Sequence, residues 1–228
     1  DFTKTNDPFT IEFWWYSTVN ITGTMAPFGI ASASVSTASP ANNLKLDATN
    51  LYVKGATYQH NIDFLDQAWQ HVAITYDGNF VKIYRNGELA YTTPDLVNFV
   101  PFYQCTLCIG GAFAGSDGAS PGNFVTGYMS NFRITHKVVY TGKFTLSFEP
   151  LQPTQNTGTN IAPIGRNECT LLTCQSEAIV DNSDPSDRVL AMATNTAKPV
   201  PAAVSPYALQ GTGSLRNIFA LASESGNG

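Results

Sequence analysis

Apolar and polar residues alternate along this chain with a period of two, the spacing that turns every second side chain of an extended strand to the same face. The pattern is strongest in Phe9–Tyr16 (FTIEFWWY), Trp69–Tyr76 (WQHVAITY) and Val81–Leu89 (VKIYRNGEL), all rich in aromatic and β-branched residues. Asp77-Gly78 supplies a turn between the second and the third. Strands are predicted over Thr10–Ser17, Pro27–Ala31, Leu44–Asp47, Leu51–Lys54, Gln70–Tyr76, Phe80–Arg85, Glu88–Thr92, Leu107–Ile109 and Thr126–Thr135. Turn signals separate nearly all of them: Thr22-Gly23, Gly55-Ala56, Asn86-Gly87 and Gly110-Gly111. No window of a dozen residues carries helical periodicity, so the expected fold is all-β, an antiparallel β-sandwich or jelly roll.

Within Phe9–Tyr16, Phe9, Ile11, Phe13 and Trp15 share one face, and Thr10, Glu12, Trp14 and Tyr16 share the other. One face must belong to the core. The second is either covered as well, which is the default, or it offers Trp14 and Tyr16 for stacking against the apolar C–H face of a sugar. Tyr58 and His60, next to a loop, are further candidates for such contacts. Two segments, Ser32–Asn43 and Ala112–Asn123, contain little to bury and are expected to run over the surface as loops.

Composition sharpens this picture. The chain has 228 residues, of which 43% are hydrophobic and only 13% charged. One all-β domain can absorb that length, and its surface must be made of Ser, Thr, Asn, Gln and Gly. A net charge of -5 without a Lys or Arg cluster speaks against nucleic-acid binding. No apolar stretch reaches the roughly 18 residues of a membrane span. The opening at Asp1 shows none of the features of a signal peptide. Cys105 and Cys108 flank Thr106-Leu107 on opposite faces of a strand, and Cys169 and Cys174 lie in another strand-like run. Reduced, buried thiols are therefore expected, with a disulfide or zinc as alternatives.

The chain lacks the chemistry of a glycoside hydrolase, which needs two carboxylates flanking the scissile bond. Glu12 is alone on its strand, and Glu88 and Asp95 lie seven residues apart. His60, His71 and His136 are scattered; His71, alternating with Trp69 and Ala73, reads as a packed or edge histidine more than as a general base. No catalytic residue and no dedicated metal ligand set is assigned. Asp181–Asp187 holds three carboxylates but lacks the glycine and terminal glutamate of a helix–loop–helix calcium loop. Asn20-Ile21-Thr22 matches a glycosylation sequon, a match short enough to arise by chance.

The strand Phe9–Trp14, the run Trp69–Gly78 and the run Val81–Leu89 together resemble the laminin G-like, concanavalin A-like jelly-roll family. Gly127–Ile134 (GYMSNFRI) is similar to that family's closing strand. With Val138–Thr145, Leu171–Ser176 and Ile179–Ser183, it looks like the modules bacteriophages encode in virion structural proteins. The resemblance covers residues 1 to about 207. It implies a binding module, not an enzyme. Some relatives hold calcium through rim carboxylates, which makes Asp117 and Asp77 candidate donors. The plainer reading of each is a turn residue, and no cofactor is expected.

The expected layout is a sandwich over 1–149, a β-rich extension over 150–207 packed on it, and a terminal strand over 208–228. That strand, with Ile218–Ala222, either completes this sandwich or opens a following module, and the chain reads as a window of a longer, tandemly repeated polypeptide. The resemblance implies a capsid decoration, fibre or appendage on the virion surface. Its partners would be other virion subunits, as a homo-oligomer or repeated modules, and a host-surface glycan. A secreted adhesin of non-viral origin is the alternative, and a glycoside hydrolase a more distant one.

Overall fold

The computed structural model describes residues 7–32, 42–96, 99, 105–114, 120–147, 149–176, 180–183, 197–200, 206 and 218–221. These hold fifteen strands and no helix. They are β1 (Phe9–Ser17), β2 (Phe28–Ser32), β3 (Asn42–Leu46), β4 (Asn50–Val53), β5 (Ala56–Gln59), β6 (Trp69–Tyr76), β7 (Val81–Arg85), β8 (Glu88–Thr92) and β9 (Cys105–Ile109). They continue with β10 (Ala112–Ala114), β11 (Ser120–Gly122), β12 (Gly127–Thr135), β13 (Cys169–Thr173), β14 (Ala197–Val200) and β15 (Ile218–Leu221). The all-β antiparallel sandwich expected from the alternation is thus the fold.

The larger sheet runs β14-β15-β12-β1-β6-β7-β8, and the smaller runs β5-β4-β3-β2-β9. Along the outer edge of β12, β15 pairs with Gly127–Met129 and β13 with Phe132–Thr135, end to end. Between the sheets lies a core of Phe9, Ile11, Phe13 and Trp15 from β1, Val72 and Ile74 from β6, and Phe28, Ile30, Leu44 and Leu51 from the smaller sheet. These are the alternate positions of each strand.

Sequence and structure differ in three places. Lys54-Gly55, both at positive φ (49° and 79°), form a two-residue turn from β4 into β5. Such a mirror-image turn suits the twist of a hairpin, so a strand begins at Ala56, where only a turn was expected. Asn86-Gly87 (51° and 83°) makes the same kind of turn between β7 and β8, where a turn was expected. Part of the segment Ala112–Asn123 is paired as well, since β10 and β11 form a small antiparallel ladder. The described part of 150–207 is mostly irregular: after β12 the chain crosses the outer face of the larger sheet as a strap, residues 137–147 and 149–168, whose described residues pair only through isolated bridges.

The strap buries a second apolar cluster, with Val139, Tyr140, Phe144, Leu151 and Ile164 packed on Ala73, Tyr84 and Leu172. It is pinned at Gly87, whose carbonyl accepts from the Phe144 N–H at 3.0 Å. A Cβ at Gly87 would collide with the Phe144 carbonyl, and the residue sits at a φ that disfavours side chains. Gly87→Ala is therefore expected to cost about 2 kcal/mol or more. Urea unfolding would register this as a lower midpoint.

Candidate functional site

The outer face of the larger sheet is where the aromatic strand's second face ends up. In-register pairing sets side chains of β6, β1 and β12 in rows: Trp69–Tyr16–Tyr128, then His71–Trp14–Ser130, then Ala73–Glu12–Arg133, then Thr75–Thr10–Thr135. The third row depends on a bulge. Between Glu12 and Trp14, β1 spends one residue where β12 spends two, and Asn131 takes a left-handed φ of 53°. The extra residue resets the alternation, so that Phe132 points inward with Met129 and Arg133 points outward. The bulge is held by the strap and by the segment after β13, because Asn131 Oδ1 accepts from Leu151 N (3.0 Å) and Gln175 Nε2 (2.6 Å).

Glu12 is fully buried under the strap. Its Oε1 accepts from Arg133 Nε (2.9 Å) and Nη2 (2.6 Å), and its Oε2 accepts from Tyr140 Oη (2.6 Å) and lies 3.2 Å from His71 Nε2. Arg133 also donates to Gln152 O (2.7 Å) and Gln155 Oε1 (2.8 Å). Burial alone would raise the Glu12 pKa, but the Arg133 guanidinium and the donors of His71 and Tyr140 outweigh it and hold it at about 2. Burial and the neighbouring Glu12 charge push the Tyr140 phenol well above its usual range. A carboxylate so firmly ionised and so fully hydrogen-bonded has no proton to give at neutral pH, so Glu12 is a structural anchor for the strap. In the fourth row, Thr10 Oγ1 donates to Lys137 O (2.7 Å) and accepts from Val139 N (2.9 Å), fixing where the strap begins.

The strap covers the rows unevenly. Over the second row it leaves a cavity of about 320 Å³ lined by Trp14, His71, Tyr140 and Phe144 among others. Trp14, 8% exposed, forms its wall, with its ring against His71 (centroids 5.4 Å apart). The first row is half-exposed: Trp69, Tyr16 and Tyr128 lie side by side across three strands, with Tyr16 5.7 Å from Trp69 and 5.8 Å from Tyr128 between ring centroids. Such tilted neighbours present a continuous strip of aromatic surface with hydroxyl and indole N–H groups along it.

Of the residues picked out for sugar contact, Trp14 and Tyr16 therefore share this face, one walling the cavity and one central in the open row. The other two sit elsewhere. Tyr58, on β5 opposite Leu51, packs half-buried against the main core. His60 is turned into the fold, not toward a ligand: Nε2 lies 3.2 Å from Asp47 O and Nδ1 accepts from Ile62 N at 3.3 Å. Its ring meets Phe64 and Tyr91 edge-on. Burial lowers its pKa, which keeps the ring neutral. Asp117, the calcium candidate, lies outside the described residues, as do Asp184 and Asp187. Asp77 caps its own turn, accepting from Asn79 N (3.0 Å) and Phe80 N (2.8 Å) and pairing with Lys82. Among the described residues, no three His, Cys, Asp or Glu side chains cluster as they would around a metal ion.

All four cysteines are free thiols. Burial raises the pKa of each, to about 11 at Cys108 and Cys169 and about 12 at Cys174, so they remain protonated. Alternation did not single out Trp69, Tyr128, Tyr140 and Arg133 as members of this face. Alternation placed Trp69 with His71, but only the register of β6 and β12 against β1 sets these residues beside Tyr16 and Glu12.

Two antiparallel sheets around an aromatic core define a lectin-type sandwich fold. The chain belongs to the Concanavalin A-like lectin/glucanases superfamily, whose pattern residues 1–141 match. No curated protein matches the sequence. Among solved structures it is similar to domain 4 of AbnA, a GH43 extracellular arabinanase from Geobacillus stearothermophilus, in complex with arabinotriose. That similarity has 17% identity over 59% of this chain and 63% of that one, with a TM-score of 0.41. It is also similar to a native heptameric SAP-like pentraxin from Limulus polyphemus, at 16% identity over 57% and 64% of the two chains and a TM-score of 0.44. The chain thus spans under two thirds of the length of either.

Proposed function

We propose that the chain is a non-enzymatic carbohydrate-binding module of a bacteriophage virion, carried as a capsid decoration, fibre or appendage. It adheres through the outer face of its larger sheet to host-surface glycans. The observation that carries the binding role is the open row Trp69–Tyr16–Tyr128. Three half-exposed rings on adjacent strands of a rigid sheet offer a preorganised strip, so little conformational entropy is lost when successive sugar rings stack on it. Membership of a lectin-type superfamily supports the ligand class. The virion setting rests on the resemblance of Gly127–Ser183 to phage-encoded modules and on the scarcity of charge. Each strip would bind weakly, and repeated copies on a particle would multiply the strength through avidity. Neighbouring virion subunits are the partners this arrangement calls for.

The test is binding to a glycan array by the whole chain and by Trp69→Ala, Tyr16→Ala and Tyr128→Ala. A subset of glycans is expected to bind, with Trp69→Ala weakening them roughly 30-fold, the scale of a buried aromatic anchor. Equal binding by all three variants and the parent chain would remove the row from the account.

A further inference from the structure

The open row has a direction and a spacing, and together they restrict the saccharide it takes. From the second row onward the face is closed: His71, Trp14 and Ser130 are buried, and Ala73, Glu12 and Arg133 have no exposure under the strap. On the other side the sheet itself ends, since β1 stops at Ser17, β6 starts at Trp69 and β12 starts at Gly127. A glycan chain on the row therefore runs across the strands, over Trp69, Tyr16 and Tyr128 in turn, and not along them. A branch on the strap side would meet the strap.

Neighbouring rings lie 5.7 and 5.8 Å apart between centroids, close to the advance of an extended glycan chain per sugar. One ring then serves one sugar, whereas a tightly coiled chain advances too little per sugar to keep step with the strands. The rings are also not coplanar: that of Tyr16 is tilted 58° to Trp69 and 53° to Tyr128. Stacking needs the C–H face of a sugar parallel to the ring below it, so adjacent sugars must be turned to a similar degree. A flat ribbon with all its sugar planes aligned can match one ring but not its neighbour. A free chain with three sugars to the turn sets neighbouring planes at nearly this tilt. Neither this row nor the second contains a carboxylate, a lysine or an arginine, so a charged sugar would lose water there without gaining a partner.

We propose that the row selects neutral, linear, extended polysaccharides, bound as single twisted chains in mid-chain with one sugar on each of the three rings. This rests on the reading of the row as the saccharide surface and adds what that surface selects. The three places are chemically alike, so interior sugars satisfy them and no chain end is required. Flat crystalline polysaccharide surfaces are excluded by the tilt, and compact coiled chains by the spacing.

The experiment measures, by calorimetry on the whole chain, affinities for ladders of two to six sugars. The ladders are the linear β-1,4 series of glucose, xylose, mannose and N-acetylglucosamine, with the coiled α-1,4 series of glucose beside them; crystalline cellulose is tested by co-sedimentation. At least one β-1,4 series is expected to bind, gaining roughly 10-fold from two sugars to three, the worth of one further aromatic contact, and little beyond four. Reducing the end sugar of the hexasaccharide to an open-chain alditol should leave its affinity unchanged, and crystalline cellulose should not retain the chain. Tyr128→Ala, with two platforms left, should lose the step from two sugars to three. A disaccharide binding as well as the hexasaccharide, preference for the α-1,4 series, dependence on the intact end sugar or retention on crystalline cellulose would each overturn the proposal. These four use only the parent chain, so they stand even if the variant fails to fold. Absence of binding by every saccharide would remove the reading of the row as well, whereas binding that Trp69→Ala weakens but that shows no step with chain length removes this proposal alone.

Discussion

Glu12→Ala is expected to lower the free energy of unfolding by about 3–5 kcal/mol, the cost of removing one partner from a buried ion pair. The substitution leaves the Arg133 guanidinium, with no exposure of its own, facing His71 and Tyr140 with no negative charge among them. The same network sets an acid limit. The folded pKa of about 2 lies below the ordinary carboxylate value of 4.5, so the unfolded chain binds this proton more readily than the folded one. The resulting stabilisation is fully present above pH 4.5 and is lost as the pH falls from there toward 2. The gap between the two values corresponds to roughly 3 kcal/mol. Urea melts at intervals between pH 7 and pH 2 would show the parent chain losing stability over that window. Glu12→Gln should begin lower at neutral pH and follow a flatter course. Parallel curves for the two would mean that the network contributes nothing through its charge.

Phe13→Ala is the second large loss, at about 3–5 kcal/mol for a buried phenylalanine truncated to a methyl group. Phe13 is fully buried, stacks on Phe132 of the neighbouring strand at 5.6 Å and meets Phe28 of the opposite sheet edge-on at 6.0 Å. It therefore joins the two sheets as well as two strands of one. Surrounding rings are held by their own neighbours and would close the void only in part. Equilibrium denaturation should show a lower midpoint with little change in slope, the sign of lost packing in an unchanged fold. Phe13→Leu, which keeps most of the volume, should lose less than half as much.

These two positions also show how far the sequence could be read. Alternation alone assigned Phe13 to the inner face, and it assigned Glu12, Trp14 and Tyr16 to the opposite one. What covers that opposite face was not legible, because Val139, Tyr140, Phe144 and Leu151 follow neither a two-residue nor a helical period. They come from an irregular strap whose path is set by hydrogen bonds to Thr10, Gly87 and Asn131. The Glu12–Arg133 pair was hidden for a different reason. Strict alternation through Gly127–Thr135 puts Arg133 on the same face as Met129, and only the bulge at Asn131 sends the two to opposite faces. Adjacency to a loop says nothing about which way a ring turns, and the His60 ring turns inward. The aromatic row was half legible, since Tyr16 was identified while Trp69 and Tyr128 lie 53 and 112 residues further along the chain.

The central claim is that the open row on the larger sheet is the saccharide-binding surface, and the three tryptophans allow it to be tested directly. Trp15 lies in the core, Trp14 walls the cavity and Trp69 belongs to the row. Their indole N–H signals therefore report on three separate places in one spectrum. The measurement is a titration of the isotopically labelled chain with an oligosaccharide that binds it, following those signals. The Trp69 signal is predicted to move with saturating dependence on the oligosaccharide while that of Trp15 stays in place. A bound oligosaccharide that leaves the Trp69 signal where it was would contradict the account and move the binding surface off this sheet.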